Sequence, residues 1–168
     1  CVTITDNNAC SVIECFDIGT GADIIDNEDI DSASCAGGSD GLIALNATGG
    51  LAPYTYNWVA LVTNPSASGD SAKTLEAGTY AVTITDATGC STIESYTVFE
   101  PSRISASVIP TDASCAAGGD GSATVSGSGG TGSLTFAWSD LVTTGSSVSN
   151  LAVGSHDVTV TDQNGCDT

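Results

Sequence analysis

Seven cysteines are the most reactive groups of this 168-residue chain, and their spacing is regular. Cys10 to Cys90 and Cys35 to Cys115 are steps of 80 residues, and Cys90 to Cys166 is a step of 76. A thiol nucleophile needs a base, and His156 is the single histidine of the chain. A metal site at His156 needs partners, and no second histidine exists to supply one. Cysteines this dense and this periodic read as disulfides formed in an oxidising, extracellular setting.

Three pairings are expected. The simplest is internal to each repeat, Cys35 with Cys90 and Cys115 with Cys166, leaving Cys10 to a partner upstream. Closing a loop of about 55 residues is worth roughly 4 kcal/mol in the chain-entropy model. The rival is a weld across the linkers, Cys10 with Cys35 and Cys90 with Cys115. A first strand over residues 24–30 would put Cys35 at the end of the sandwich away from Cys90, which counts against the internal pairing. Cys1 and Cys15 have no counterparts in the other repeats. They align with Ala81 and Ser95 on facing arms of a hairpin, so a cross-strand bond between them is expected.

Carboxylates are the second chemical resource. Asp23, Asp26, Glu28, Asp29 and Asp31 crowd nine residues, and calcium wants several oxygens together. The matching stretch of the next repeat carries one acid, Asp112, and no EF-hand spacing occurs. A solvated acidic stretch competes with the calcium reading. Two carboxylates can hydrolyse glycosides, but these acids fall in turns and linkers. An isopeptide bond needs a lysine, and Lys73 is the only one. No catalytic residue is assigned, no cofactor beyond that calcium candidate is expected, and the chain reads as a non-enzyme.

The elements that position these groups follow from the same period. Trp58 returns as Trp138, and Asp86-Ala-Thr-Gly-Cys90 returns as Asp162-Gln-Asn-Gly-Cys166. A period of this length is one small domain per repeat. Residues 1–20 then form the closing hairpin of a preceding repeat, 21–100 a complete repeat, and 101–168 a second one truncated in its last strand. The chain thus reads as a piece of a longer array.

Alternation rather than helical periodicity runs throughout. Tyr80-Ala-Val82-Thr-Ile84-Thr places Tyr80, Val82 and Ile84 on one face. Strands are predicted near 24–30, 42–47, 54–59, 72–75, 80–86 and 91–98. The second repeat has them near 104–109, 122–126, 133–138, 147–151, 156–161 and from 166 onward. Short strands with regular turns predict tandem immunoglobulin-like antiparallel β-sandwiches, an all-β fold braced by disulfides. Tyr80 suits a tyrosine corner, with His156 in its place in the second repeat. Trp58 and Trp138 are expected to fill the two cores. The short linker Phe99-Glu-Pro101-Ser predicts a stiff junction.

Cys35-Ala-Gly-Gly-Ser-Asp-Gly41, Gly49-Gly50, Pro53-Tyr-Thr-Tyr-Asn-Trp58, Leu75-Glu-Ala-Gly-Thr-Tyr80 and Val82-Thr-Ile-Thr-Asp86-Ala-Thr-Gly-Cys90 together resemble the SprB repeat. The second copy departs from it at Ser133-Leu134, Phe136 and His156. The resemblance implies a very long cell-surface adhesin of gliding Bacteroidota-type bacteria, exported by type IX secretion, displayed on the outer membrane and driven by the gliding machinery. Asp31-Ser32-Ala33 and Asp70-Ser71-Ala72 also resemble the O-glycosylation acceptors of such bacteria, making Ser32 and Ser71 candidate sites.

Charge narrows the partners. Twenty acidic residues oppose Lys73 and Arg103, for a net charge of −18. Nucleic acid and anionic lipid are repelled by such a surface. No apolar run reaches the roughly 20 residues of a membrane span. The expected function is a structural repeat segment of a secreted surface adhesin or filament, contacting neighbouring repeats of the same long chain. The alternatives are a module that binds surface polysaccharide or matrix, and a subunit of a self-assembling extracellular fibre.

Overall fold

The computed structural model describes residues 1–15, 23–60, 66–115, 118–139 and 144–168. Every element among them is a strand. Strands β1 (Val2–Thr5) and β2 (Ser11–Glu14) form a hairpin by themselves. Next come β3 (Ile25–Asp31), β4 (Gly41–Thr48), β5 (Thr55–Ala60), β6 (Ser66–Ser68), β7 (Ser71–Leu75), β8 (Gly78–Thr85) and β9 (Ser91–Val98). They make two antiparallel sheets, ordered β3-β4-β7-β6 and β5-β8-β9. In immunoglobulin lettering these sheets are ABED and CFG, the constant-type arrangement. The second repeat supplies β10 (Ser105–Thr111), β11 (Gly121–Ser128), β12 (Thr135–Trp138), β13 (Ser147–Leu151) and β14 (Val158–Thr161). Its sheets run β10-β11-β13 and β12-β14, and a single bridge from Thr161 to Asp167 begins the next strand. The fold is all-β, two immunoglobulin-like sandwiches in tandem.

Each sandwich has its own core. In the first, Ile43, Leu45, Ala72, Leu75, Tyr80, Val82, Ile84 and Val98 are buried between the sheets. In the second, Ala123, Val125, Trp138, Val148, Leu151 and Val160 are buried. Period-2 alternation produces this directly, since β8 buries Tyr80, Val82 and Ile84 and turns the intervening residues outward. Trp138 fills its core as expected, but Trp58 lies only partly buried at the edge of the first. The ring of Tyr80 takes the centre there instead. Both indoles reach a carbonyl, Trp58 Nε1 donating to Gly69 at 3.0 Å and Trp138 Nε1 to Gly145 at 3.1 Å. The rim position lets Trp58 keep its polar end satisfied.

Tyr80 forms the expected corner, its hydroxyl donating to the carbonyl of Glu76 at 2.8 Å. His156 keeps the same bond, Nε2 lying 2.8 Å from the carbonyl of Ala152. The carbonyl can only accept, so the ring carries its proton on Nε2. The exchange of phenol for imidazole therefore preserves the strap between the E–F turn and strand F.

Strand β7 meets β4 through a register shift. Gly41 pairs with Leu75 and Leu42 with Lys73, leaving Thr74 unpaired as a bulge with φ of 56°. The second repeat repeats the device at Asn150, with φ of 60°. Asparagine tolerates this left-handed conformation, whereas a β-branched residue is strained in it. Thr74 is exposed, so nothing else depends on its side chain packing. Thr74→Asn, the choice of the second repeat, is expected to stabilise the first sandwich by about 1 kcal/mol. Chemical denaturation of the two proteins side by side measures this, and an unchanged midpoint refutes the strain at Thr74.

Candidate functional site

The chemistry of the chain concentrates where the two sandwiches meet. Two loops form this junction. One is the A–B loop of the first sandwich, which carries Cys35. The other is the F–G turn of the second, which carries Cys166.

Each loop is shaped by one carboxylate. In the A–B loop, Asp40 Oδ1 accepts the amide of Ser34 at 2.9 Å, and the Gly38 amide donates to the carbonyl of Cys35 at 2.9 Å. Asp120 makes the same bond to Ser114 in the second repeat, also at 2.9 Å. Hydrogen bonds from Ser34 and Ser114 hold both carboxyls below the ordinary range.

The F–G turn is built around Asp162. Its Oδ1 accepts the amides of Asn164 and Cys166, both at 2.9 Å. Its Oδ2 accepts the amide of Thr131 in the B–C turn at 2.7 Å. Asp86 repeats this pattern with Thr88, Cys90 and Leu51, and Asp6 repeats the turn bonds with Asn8 and Cys10. Asp86 and Asp162 are 7% and 5% exposed, deep for carboxylates, and their bonds compensate the burial. The Thr88 hydroxyl above all lowers the pKa of Asp86, with the Leu51, Thr88 and Cys90 amides adding to it. The Thr131 amide leads for Asp162. The second glycine of each pair makes room for these carboxylates. A Cβ on Gly50 or Gly130 would come within 2.7 or 2.8 Å of the Asp86 or Asp162 carboxylate, and both residues have positive φ.

The two loops are joined by a disulfide between Cys35 and Cys166. This corrects the expected internal pairing of Cys35 with Cys90 and of Cys115 with Cys166. The reason is polarity within the sandwich. The A–B and F–G turns close opposite ends of strands eight residues long, such as β4 and β8, so they lie roughly 25 Å apart. A disulfide spans about 6 Å between Cα atoms. The A–B loop of one module instead faces the F–G turn of the next. The alternative weld of Cys10 to Cys35 and Cys90 to Cys115 fails as well, because Cys10, Cys90 and Cys115 are all free. Cys1 and Cys15 are bonded to each other across the β1–β2 hairpin. Their counterparts Ala81 and Ser95 face each other in β8 and β9.

Further contacts fix the junction. The Asn164 side-chain amide donates to the carbonyl of Ser34 at 2.9 Å. The linker is held at both ends: Ala33 donates to the Phe99 carbonyl at 2.9 Å, and Gly130 donates to the Ser102 carbonyl at 2.8 Å. Between them the Glu100 carboxylate accepts the amide of Gly37. A cleft of about 390 Å³ remains beside the bond, bordered by Pro101, Arg103, Asp162 and Asp167.

The acidic stretch forms no comparable centre. From Asp26 to Asp31 it lies in strand β3, close to the strand predicted near 24–30, so its side chains alternate between two faces. Asp26 turns inward and accepts from the Tyr96 hydroxyl, while Asp29 and Asp31 point to solvent. Burial, with Asp26 as the next cause, pushes the Tyr96 phenol well above its ordinary value. Among the described residues no three acids, histidines or cysteines converge as metal ligands. Asp23, Asp26, Glu28, Asp29 and Asp31 therefore do not converge as the calcium candidate requires. Ser32 is exposed in the loop after β3, whereas Ser71 is partly buried and paired within β7. Sequence reasoning missed Asp40, Asp120, Asn164 and Glu100. The recurrence of the first two at fixed distance from Cys35 and Cys115 was the available signal.

Two outcomes are expected. With both cysteines bonded, unfolding the second sandwich alone leaves a loop of roughly 70 residues tied at each end to the first. Cys35→Ser with Cys166→Ser is expected to weaken the second sandwich by up to about 4 kcal/mol and leave the core of the first intact. Calorimetry should show the upper or single transition splitting, and an unchanged thermogram contradicts the bond. The pH dependence follows from the carboxylates. The folded pKa values of Asp86 and Asp162 lie below those of the unfolded chain, near 3.9. Their stabilisation is complete above that value and is lost as pH falls through the folded ones. Asp162→Asn is expected to lower the melting temperature at neutral pH and to flatten its fall below about pH 4. A variant that melts as the parent does across that range refutes the role.

Residues 27–63 and 107–143 match the family model of the SprB repeat. No curated protein matches the chain. Among solved structures, one described as "Structural basis for Dscam isoform specificity" is similar at 12% identity and a TM-score of 0.35, covering 86% of this chain and 44% of that one. The two matched segments fall in successive sandwiches of the same construction, each running from strand A past strand C. Two successive segments of the chain, one in each sandwich, thus match the SprB repeat.

Proposed function

We propose that this chain is a stiff structural segment of a cell-surface adhesin or filament, holding adhesive surface away from the cell in gliding motility. The observation that carries the reading is the junction. A linker hydrogen-bonded at both ends and bypassed by the bond from Cys35 to Cys166 leaves neighbouring modules little freedom to bend. Segments meant to hinge carry open, unpaired linkers instead. The surface fits a spacer as well: 20 acids against two cations keep such segments apart from one another and from anionic lipid. Neighbouring repeats are then the principal partners, and the location is extracellular, where disulfides persist.

Small-angle X-ray scattering of the oxidised and the reduced chain tests this. The oxidised chain is expected to scatter as one extended rigid particle, and reduction to broaden its distance distribution. If both forms are equally flexible, the spacer reading fails. A glycan array probed with the oxidised chain separates it from a carbohydrate-binding module: selective binding to one glycan class, abolished by substitution within a single loop, would replace the spacer reading with that one.

A further inference from the structure

Three cysteines remain free and exposed: Cys10, Cys90 and Cys115. Each occupies a repeat position whose counterpart is already bonded. Cys115 is the counterpart of Cys35 in the A–B loop, and Cys10 and Cys90 are counterparts of Cys166 in the F–G turn. The loops that hold them have the same internal bonds as the loops at the junction. Asp120 fixes Ser114 as Asp40 fixes Ser34, both at 2.9 Å. Gly118 donates to the Cys115 carbonyl at 2.8 Å, as Gly38 does to Cys35. Asp86 and Asp6 accept the amides of Cys90 and Cys10 at 3.0 and 2.9 Å, as Asp162 accepts that of Cys166. The free thiols therefore sit in loops of the shape that carries the bond of Cys35 to Cys166.

We propose that Cys115 and the hairpin cysteines Cys10 and Cys90 are complementary halves of one docking site for a further repeat of this kind, each A–B loop cysteine bonding the F–G hairpin cysteine of the module that follows it. The ladder is directional. It joins an A–B loop to an F–G turn and never two loops of one type, because like turns lie at like ends of successive sandwiches. Asn8 strengthens the match at Cys10. It stands where Asn164 stands, so in the docked pair it would donate to the Ser114 carbonyl as Asn164 does to that of Ser34. In each bond two thiols lose two protons and two electrons, and both pass to a small-molecule disulfide, which is reduced to two thiols. The inference rests on the repeat geometry alone and not on the adhesin reading, so either can fail without the other.

The test uses a second copy of the same chain as the incoming repeat and oxidised glutathione as the oxidant. The chain, with its two native disulfides intact, is concentrated in a glutathione redox buffer, and linked species are mapped by non-reducing peptide analysis. The expected result is Cys115 joined to Cys10 or Cys90 of another copy, with the bond of Cys35 to Cys166 unchanged. Cys115→Ser is expected to abolish every linked species, while Cys90→Ser leaves the links to Cys10. Linkage of Cys115 to Cys115, of hairpin cysteine to hairpin cysteine, or of all pairs at random overturns the proposal. So does the absence of any linked species while the chain remains folded by circular dichroism.

Discussion

One buried carboxylate per F–G turn holds the rest of this architecture in place. Asp86 and Asp162 each gather amides from their own turn and one from the B–C turn, tying together two loops at one end of a sandwich. Paired backbone bonds finish the tie, Ala87 to Leu51 and Gln163 to Thr131. Several donors around one charge compensate its desolvation, which an isolated buried carboxylate could not bear. The second glycine of each pair follows from the same demand, since a Cβ there would collide with the carboxylate, whereas one on Gly49 or Gly129 would meet the backbone carbonyl of Asp23 or Arg103. The cysteine at the end of the turn, its amide held by that carboxylate, is thereby aimed before it meets a partner. A disulfide requires sulfur atoms placed within a narrow geometry, and loops that wander would supply it poorly.

A sandwich of this kind also has a direction, and the direction decides the connectivity. The A–B loop lies at the end where the chain leaves the module, and the F–G turn lies where it arrives. Adjacent modules therefore present unlike loops to each other. Bonding between them braces the junction, while each core is left to its own apolar residues. The linker contacts of Phe99, Glu100 and Ser102 act at the same place, so covalent and hydrogen-bonded restraints coincide.

Much of this was legible in the residues. The alternation of Tyr80, Val82 and Ile84 gave both strand and face, and the spacing from Leu75 to Tyr80 gave the corner at Glu76. The facing of Ala81 and Ser95 located Cys1 and Cys15 on one hairpin. Strand β6 went unread because three small residues carry little pattern. Trp58 misled because a large ring on the inward face can still pack only against the edge of its core. The pairing of Cys35 was misread because spacing along the chain was given more weight than the end of the sandwich each turn closes, which already counted against Cys90. The acids of β3 looked like a cation cage only while they were taken as a linker, and a strand scatters them over two faces.

The bond from Cys35 to Cys166 has a mechanical consequence. When the chain is pulled from its ends, tension arriving along strand A can cross that bond directly into the segment after Cys166. The 131-residue span it closes is then shielded from load. Fully extended, such a span would add roughly 450 Å of contour. Until that bond breaks, the span inside it passes force on without lengthening.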